Sequence, residues 1–109
     1  MLDGLWIVRY HGPQGVGGGV VVFTKQQVLG GDSGFTYVGS YELKGDLMMA
    51  KVSVKNFDAS VPNVLGVPGN FELLIEGRVK NDIIDGTGAL ATHPDTKLVV
   101  QLSREHKLS

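Results

Sequence analysis

The chain has 109 residues, of which 42% are apolar and 19% are charged, and its formal net charge is −1. This length is typical of one domain, so we predict a single domain over residues 1–109. The lysines and arginines are spread singly, which argues against the basic stripe of a protein that binds nucleic acid directly. The absence of cysteine excludes disulfides, thiolate metal sites and a cysteine nucleophile.

The N-terminal stretch MLDGLWIVRY does not match a targeting signal. It lacks a basic region followed by an apolar run, which a signal peptide requires. No apolar run elsewhere approaches the roughly 20 residues of a membrane-spanning helix. We therefore predict a cytoplasmic protein that does not enter a membrane.

Glycine is the residue type that departs most from the usual composition. The chain contains 16 glycines, about twice the ordinary share of roughly 7%. Each glycine inside a helix costs about 1 kcal/mol relative to alanine, whereas turn-rich β proteins use glycine freely. The composition therefore favours strands over helices.

Alternation of apolar and polar residues predicts eight strands in chain order. The clearest run covers residues 70–79, where nearly every second residue is apolar. The pairs Lys44-Gly45 and Asn81-Asp82 suit tight hairpins, which need residues that accept a positive φ. The predicted strands are residues 4–10, 18–24, 26–29, 35–43, 46–55, 70–79, 83–92 and 96–104.

The predicted fold is an all-β, eight-stranded antiparallel barrel. Hairpin links favour the up-and-down arrangement, and closure removes exposed sheet edges; a sandwich of the same strands is the alternative. Gly4-Leu5-Trp6 resembles the Gly-x-Trp motif that opens lipocalin-like barrels, where the tryptophan plugs one end. Residues 60–66 combine a capping serine, an early proline and a closing glycine, and they predict one short helical turn.

The glycine-rich stretch over residues 22–47 is not a phosphate-binding loop. Such a loop needs a lysine directly after its last glycine and then a helix, whereas Gly34 is followed by the strand-like Phe-Thr-Tyr. The histidines His11, His93 and His106 lie in separate segments without metal-ligand spacing. We therefore predict no enzyme activity, no catalytic residue, no metal site and no cofactor.

The interior of the predicted barrel is the first candidate binding site. A barrel of this size is either filled by side chains or holds one small apolar ligand. Small residues at inward positions favour a cavity, and a fully packed core is the alternative. The predicted cavity residues are Trp6, Gly39, Ala50, Gly86 and Gly88.

Two predicted strands, residues 4–10 and 46–55, carry apolar side chains on both faces. One face of each strand lines the core, so the other needs a separate cover, because small folded domains rarely expose a large apolar patch. A symmetric homodimer is the simplest cover, and a loop or the short helical turn is the alternative. The predicted dimer residues are Leu5, Ile7, Leu47 and Met49.

Six short motifs follow one another in a specific order: DGLWIVRY at 3–10, GGVVV at 18–22, VLGGD at 28–32, YVG at 37–39, VPNVL at 61–65 and FELLIEG at 71–77. In these motifs the chain resembles the GrlR-like family of bacterial negative regulators of type III secretion, over about residues 3–105. The resemblance implies a cytoplasmic, homodimeric, lipocalin-like barrel with an apolar cavity. It also implies a repressor of virulence genes that binds a transcriptional activator and keeps it off DNA.

One hairpin departs from the family pattern. The family carries a run of alternating acids after its Tyr-x-Gly motif, as a surface for recognising the partner. Here the matching segment is ELKGD, in which Lys44 interrupts Glu42 and Asp46. The resemblance therefore implies Glu42 and Asp46 as partner contacts and leaves the partner open. The alternative function is a barrel that binds a small apolar ligand or lipid as a carrier or sensor.

Overall fold

The computed structural model describes residues 2–62, 64–66 and 69–108, and its regular structure is made of eight β-strands. Along each strand, buried side chains alternate with exposed ones, as expected for a sheet with one face towards a core. The strands are β1 Gly4–Gly12, β2 Gly15–Thr24, β3 Gln27–Gly31, β4 Phe35–Lys44, β5 Leu47–Asn56, β6 Phe71–Lys80, β7 Ile83–Leu90 and β8 Lys97–Lys107.

Each strand pairs antiparallel with the next, and β8 pairs with β1, so the sheet closes into a barrel. The prediction of an all-β, eight-stranded, up-and-down barrel is confirmed, and the sandwich alternative is wrong. The lipocalin-like description is consistent with this architecture. Among the described residues, no helix has the length and apolar character needed to cross a membrane.

The predicted strands lie close to the observed ones, and the largest differences, of three residues each, are at the end of β8 and at the start of β2. This strand begins at Gly15, whereas the alternation first becomes visible at residue 18. A Cβ on Gly17 would lie 2.6 Å from the Tyr10 ring, and one on Gly19 would lie 2.5 Å from the carbonyl oxygen of Gly31. Glycine occupies these strand positions because neighbouring groups fill the space that a side chain would need. The alternation of apolar and polar side chains that predicts a strand is therefore absent there.

The prediction of a helical turn over residues 60–66 is wrong. The described residues of this range form turns and bends, and Asn63 lies outside them. The Oδ1 of Asp58 accepts hydrogen bonds from the backbone N–H and the hydroxyl of Ser60, at 3.0 and 2.7 Å. The carbonyl of Val64 accepts a bond from the Gln14 N–H of the β1–β2 turn. The backbone N–H of Ser60 and the carbonyl of Val64 therefore have partners outside residues 60–66.

One end of the barrel is filled by aromatic side chains around Trp6, and we refer to it as the Trp6 end. Trp6 is fully buried, and its ring centroid lies 5.5 Å from that of Phe23. Its indole N–H donates to the carbonyl of Leu2 at 2.8 Å, which satisfies the one polar atom of the ring. The guanidinium of Arg104 lies 4.9 Å from the ring centroid, so a cation–π contact covers the plug from outside.

Close backbone approach explains several glycines that face the interior. A Cβ on Gly86 would lie 2.2 Å from the carbonyl oxygen of Glu76, and one on Gly39 would lie 2.1 Å from that of Lys51. Gly88, two residues after Gly86 on the same strand, is different. Its Cβ would lie 3.4 Å from Ile75 and 3.5 Å from Leu98, which is ordinary contact.

We expect Gly86→Ala to lower the free energy of unfolding by about 2–4 kcal/mol, because the strand backbone must move to accept the methyl group. Gly88→Ala is the matched control on the same strand, and we expect it to change that free energy by less than about 1 kcal/mol. Urea unfolding of both variants measures the difference. Equal effects of the two substitutions would contradict this account of Gly86.

Candidate functional site

A cavity of about 260 Å³ lies inside the barrel, towards the end opposite Trp6. The cavity wall is mostly apolar and is contributed by nearly every strand. Its apolar lining includes Val8, Phe35, Ala50, Leu73, Ile75 and Val100. Most of these side chains are buried, so the cavity is part of the core and not a surface dent.

Residues 57–62 and 64–66, which belong to the connection from β5 to β6, lie at the end of the cavity opposite Trp6, and we refer to these described residues as the lid. Val61, Pro62, Val64 and Leu65 of the lid line the cavity. Backbone hydrogen bonds hold the lid at two places: Gln14 N–H donates to the Val64 carbonyl at 2.8 Å, and Phe57 N–H donates to the Gly34 carbonyl at 2.9 Å. The lid is therefore attached to two hairpins rather than packed as a separate unit.

A polar cluster of Tyr10, Asp32 and Tyr37 interrupts the apolar wall near the lid. The Tyr10 hydroxyl donates to Asp32 Oδ2 at 2.6 Å, and the Tyr37 hydroxyl donates to the same oxygen. The other carboxylate oxygen, Oδ1, accepts the backbone N–H groups of Gly34 and Phe35 at 2.9 and 3.0 Å. The carboxylate thus has four donors, and its charge is held by hydrogen bonds.

Local chain geometry brings these three side chains together. Asp32 begins the β3–β4 turn and caps it with its own side chain, which is the usual role of aspartate in an Asx turn. Tyr37 points inward from β4, and Tyr10 points inward from β1. The absent side chain at Gly17 leaves room for the Tyr10 ring. The cluster therefore depends on the register of β1, β2 and β4.

The environment keeps the cluster in one protonation state. Burial and the hydrogen bond to Asp32 raise the pKa of Tyr10 to about 12, and the same two causes raise the pKa of Tyr37. Burial alone would raise the pKa of Asp32, but the bonds from Tyr10, Tyr37 and the turn amides outweigh it and hold that pKa below its usual value. Near neutral pH, Asp32 is charged and both tyrosines are protonated.

Of the five predicted cavity residues, Ala50 is among those that line the cavity. Trp6 lies at the opposite end and fills it. Gly39 and Gly86 are not lining residues, because neighbouring backbone occupies the space on their inner side. Gly88 is also outside the lining and packs against Ile75 and Leu98. Small size at an inward position therefore does not by itself decide which residues border the cavity.

The predicted dimer residues lie on two separate parts of the outer surface. Leu5 and Ile7 are half-buried on β1, whereas Leu47 and Met49 are half-buried on β5. These strands are on opposite sides of the closed ring. A single flat interface therefore cannot contain all four residues.

Leu5 and Ile7 belong to a larger apolar surface that sequence reasoning did not find. The register places Leu5 beside Val22, Val22 beside Leu29, and Leu29 beside Val38, so a row of apolar side chains crosses four strands. Several members are well exposed: Val20 by 47%, Leu29 by 40% and Val38 by 53%. We refer to this surface as the outer band; it consists of Leu5, Ile7, Val20, Val22, Leu29 and Val38.

The predicted partner contacts, Glu42 and Asp46, are both exposed and lie towards the Trp6 end. Asp46 forms an ion pair with Arg78, whose Nη1 lies 2.7 Å from its Oδ1. Glu42 pairs across the sheet with Met49. Both acids are therefore available on the surface, at the end of the barrel away from the cavity.

The histidines and carboxylates do not converge into a metal site in the part of the chain that the structure describes. His11 and His106 are exposed, and His93 lies 3.0 Å from the hydroxyl of Thr92. Sequence reasoning missed Tyr10, Asp32 and Tyr37 as a set. Asp32 and Tyr37 belong to the Gly-Gly-Asp and Tyr-x-Gly motifs, so those motifs were the available signal.

Comparison of the chain with protein-family models found no match, and a search of curated proteins also found none. The resemblance to the GrlR-like family accordingly stays a prediction. The barrel, its cavity, the polar cluster and the outer band are the observations from which function can be argued.

We expect Asp32→Asn to lower the free energy of unfolding at neutral pH by about 1–3 kcal/mol, because four hydrogen bonds lose their charged acceptor. The folded-state pKa of Asp32 is depressed, so its contribution is present above the unfolded pKa of about 3.9. It is lost as the pH falls through the folded-state pKa. The gap between wild type and variant should therefore narrow in acid, as measured by urea unfolding at several pH values.

Asp95→Asn is the matched control for this experiment, because it removes an exposed carboxylate at the same end of the barrel. We expect it to leave both stability and its pH dependence nearly unchanged. If the two variants gave the same pH profile, the stabilising role assigned to Asp32 would be wrong.

Proposed function

We propose that this protein binds a small apolar ligand inside its barrel, as a carrier or sensor. The observation that supports this proposal is the cavity of about 260 Å³ with a largely apolar wall. An eight-stranded barrel is wide enough to hold one small ligand, and cavities with few convergent polar groups are typical ligand sites.

The size of the cavity points to a compact ligand. Its volume of about 260 Å³ is just below the range of roughly 300–1,000 Å³ that is typical of ligand pockets. A compact ligand of about this volume would be surrounded mostly by the apolar wall.

We expect Ala50→Leu to weaken binding of an eight-carbon alcohol, octanol, at least tenfold, because the added methyl groups extend into the cavity. Isothermal titration calorimetry measures the affinity. Ser53→Gln is the matched control, since Ser53 is exposed on the outer face of the same strand. Unchanged affinity in a folded Ala50→Leu protein would place the ligand elsewhere.

A second candidate is a cytoplasmic, homodimeric repressor that sequesters a transcriptional activator of type III secretion, as the GrlR-like resemblance implies. The outer band favours a protein-binding role. Its members form adjacent pairs across β1 to β4, and three of them are at least 40% exposed. A continuous apolar surface of this kind is typical of an interface, and a second copy of the chain is the occupant that we propose.

We expect the double substitution Leu29→Lys and Val38→Lys to convert the proposed dimer into a monomer, because two charges would be buried at its interface. Sedimentation velocity measures the change. Thr87→Lys adds one positive charge at an exposed position on β7 and serves as the control. A wild-type protein that is monomeric at high concentration would overturn the dimer.

The contact with the activator is tested with variants of Glu42 and Asp46, by affinity capture from the source bacterium followed by mass spectrometry. Glu42→Lys should reduce the yield of a DNA-binding activator without changing thermal stability, because Glu42 is exposed. Asp46→Lys also breaks the ion pair with Arg78, but both side chains are about two-thirds exposed, so the cost should stay below about 1 kcal/mol. Full recovery of the activator by both variants would move the contact elsewhere.

A further inference from the structure

The polar cluster gives the cavity a chemical preference that its apolar wall alone does not provide. Tyr10, Asp32 and Tyr37 all line the cavity, together with Ser33 of the β3–β4 turn. Ser33 is exposed, and its hydroxyl can donate or accept. The other three side chains are partly buried and fixed by their mutual hydrogen bonds, so they determine what a ligand meets at this end.

The hydroxyl protons of the cluster are already used. Each tyrosine hydroxyl has one proton; both hydroxyls lie within hydrogen-bond distance of Asp32 Oδ2, and the Tyr37 hydroxyl also lies 3.4 Å from that of Tyr10, so both protons have acceptors within the cluster. An ionised carboxylate only accepts hydrogen bonds. The cluster therefore presents lone pairs to the cavity and has no side-chain proton left to donate.

The charge of the cluster adds to this preference. Among the described residues, no lysine, arginine or histidine forms a salt bridge with Asp32; the observed ion pairs are Lys51–Glu72, Arg78–Asp46 and Arg104–Asp82. In the described part of the chain, Asp32 thus carries a negative charge that hydrogen bonds stabilise and that is not part of these salt bridges. A positive group near it would be attracted, and a carboxylate would be repelled.

Aromatic rings near Asp32 also favour a positively charged group. The side chains of Tyr10, Tyr37 and Phe35 line the cavity, and Phe35 directly follows the turn that Asp32 caps. The faces of aromatic rings attract cations. A ligand with a positive head would therefore find a carboxylate and aromatic rings at the same end of an apolar chamber.

We propose that the cavity selects apolar ligands whose polar end donates hydrogen bonds, with a primary alkyl ammonium preferred over an alcohol and a carboxylate rejected. This inference rests on the proposed ligand-binding function and specifies the ligand class for that site. The apolar body occupies the chamber under the lid. The head group donates to the lone pairs of Tyr10 and Tyr37 and lies beside the charge of Asp32.

A series of eight-carbon probes with different head groups tests the selection on the unmodified protein. Octylamine, octanol, octanoate and the hydrocarbon octane share one apolar chain and fit the same volume. We expect calorimetry at neutral pH to give octylamine an affinity about tenfold higher than that of octanol, with octanoate at least tenfold weaker than octanol. Asp32→Asn should remove most of the advantage of octylamine, and Asp95→Asn, which removes an exposed carboxylate at the same end of the barrel but outside the cavity lining, should leave the order unchanged.

The probe series separates failure of the inference from failure of the proposed function. Equal binding of the three polar probes, or tightest binding of octanoate, would overturn the selection and leave the ligand-binding barrel in place. Binding by none of the four probes would overturn the ligand-binding function itself. Since the head-group comparison needs no variant, it decides the question even if Asp32→Asn fails to fold.

Discussion

The pairing of β1 with β8 is the constraint on which the other features depend, because it turns a sheet into a closed surface with an inside and an outside. The pairing contains a register shift between Leu5 and Trp6, next to the aromatic plug. Glycines at Gly39 and Gly86 let adjacent backbones approach to distances that no Cβ would permit. The closed barrel therefore depends on glycines at close backbone contacts as well as on the apolar core.

The two ends of the barrel use the enclosed space differently. At the Trp6 end, Trp6 and Phe23 pack with a centroid distance of 5.5 Å and leave no room. At the other end, the lid lines the cavity, and backbone hydrogen bonds join it to Gln14 and Gly34. The packed end thus contributes to the core, whereas the hollow end carries the candidate ligand site.

Inner and outer surfaces of the same strands carry different candidate sites. The cavity and its polar cluster belong to the inside, whereas the outer band and the acids Glu42 and Asp46 belong to the outside. Alternation along a strand sends neighbouring residues to opposite faces, so one chain can carry a ligand site and a protein interface without competition between them. Asp32 has two structural roles, because its side chain caps the β3–β4 turn and also borders the cavity.

Local pattern was enough to predict the strands, the hairpin turns at Gly45 and Asn81, and the closed all-β fold. Both turn residues have the expected positive φ, 62° and 57°. The pattern failed where glycine replaced alternation, as at Gly17, and where the hydrogen bonds of the lid replaced those of a helix. The local pattern identified small inward residues. A cavity, however, is the space that remains between many packed side chains, so it cannot be predicted from any single residue.

The sequence by itself thus determined which residues face inward and how the strands follow one another, because alternation and turn chemistry act over a few neighbouring residues. Only the tertiary structure decided which inward residues border a cavity and which outward ones form a band. Tyr10 and Asp32 are 22 positions apart, and Asp32 and Tyr37 are 5 apart. They meet because strand register and the space beside Gly17 bring them together, and both are consequences of closing the barrel.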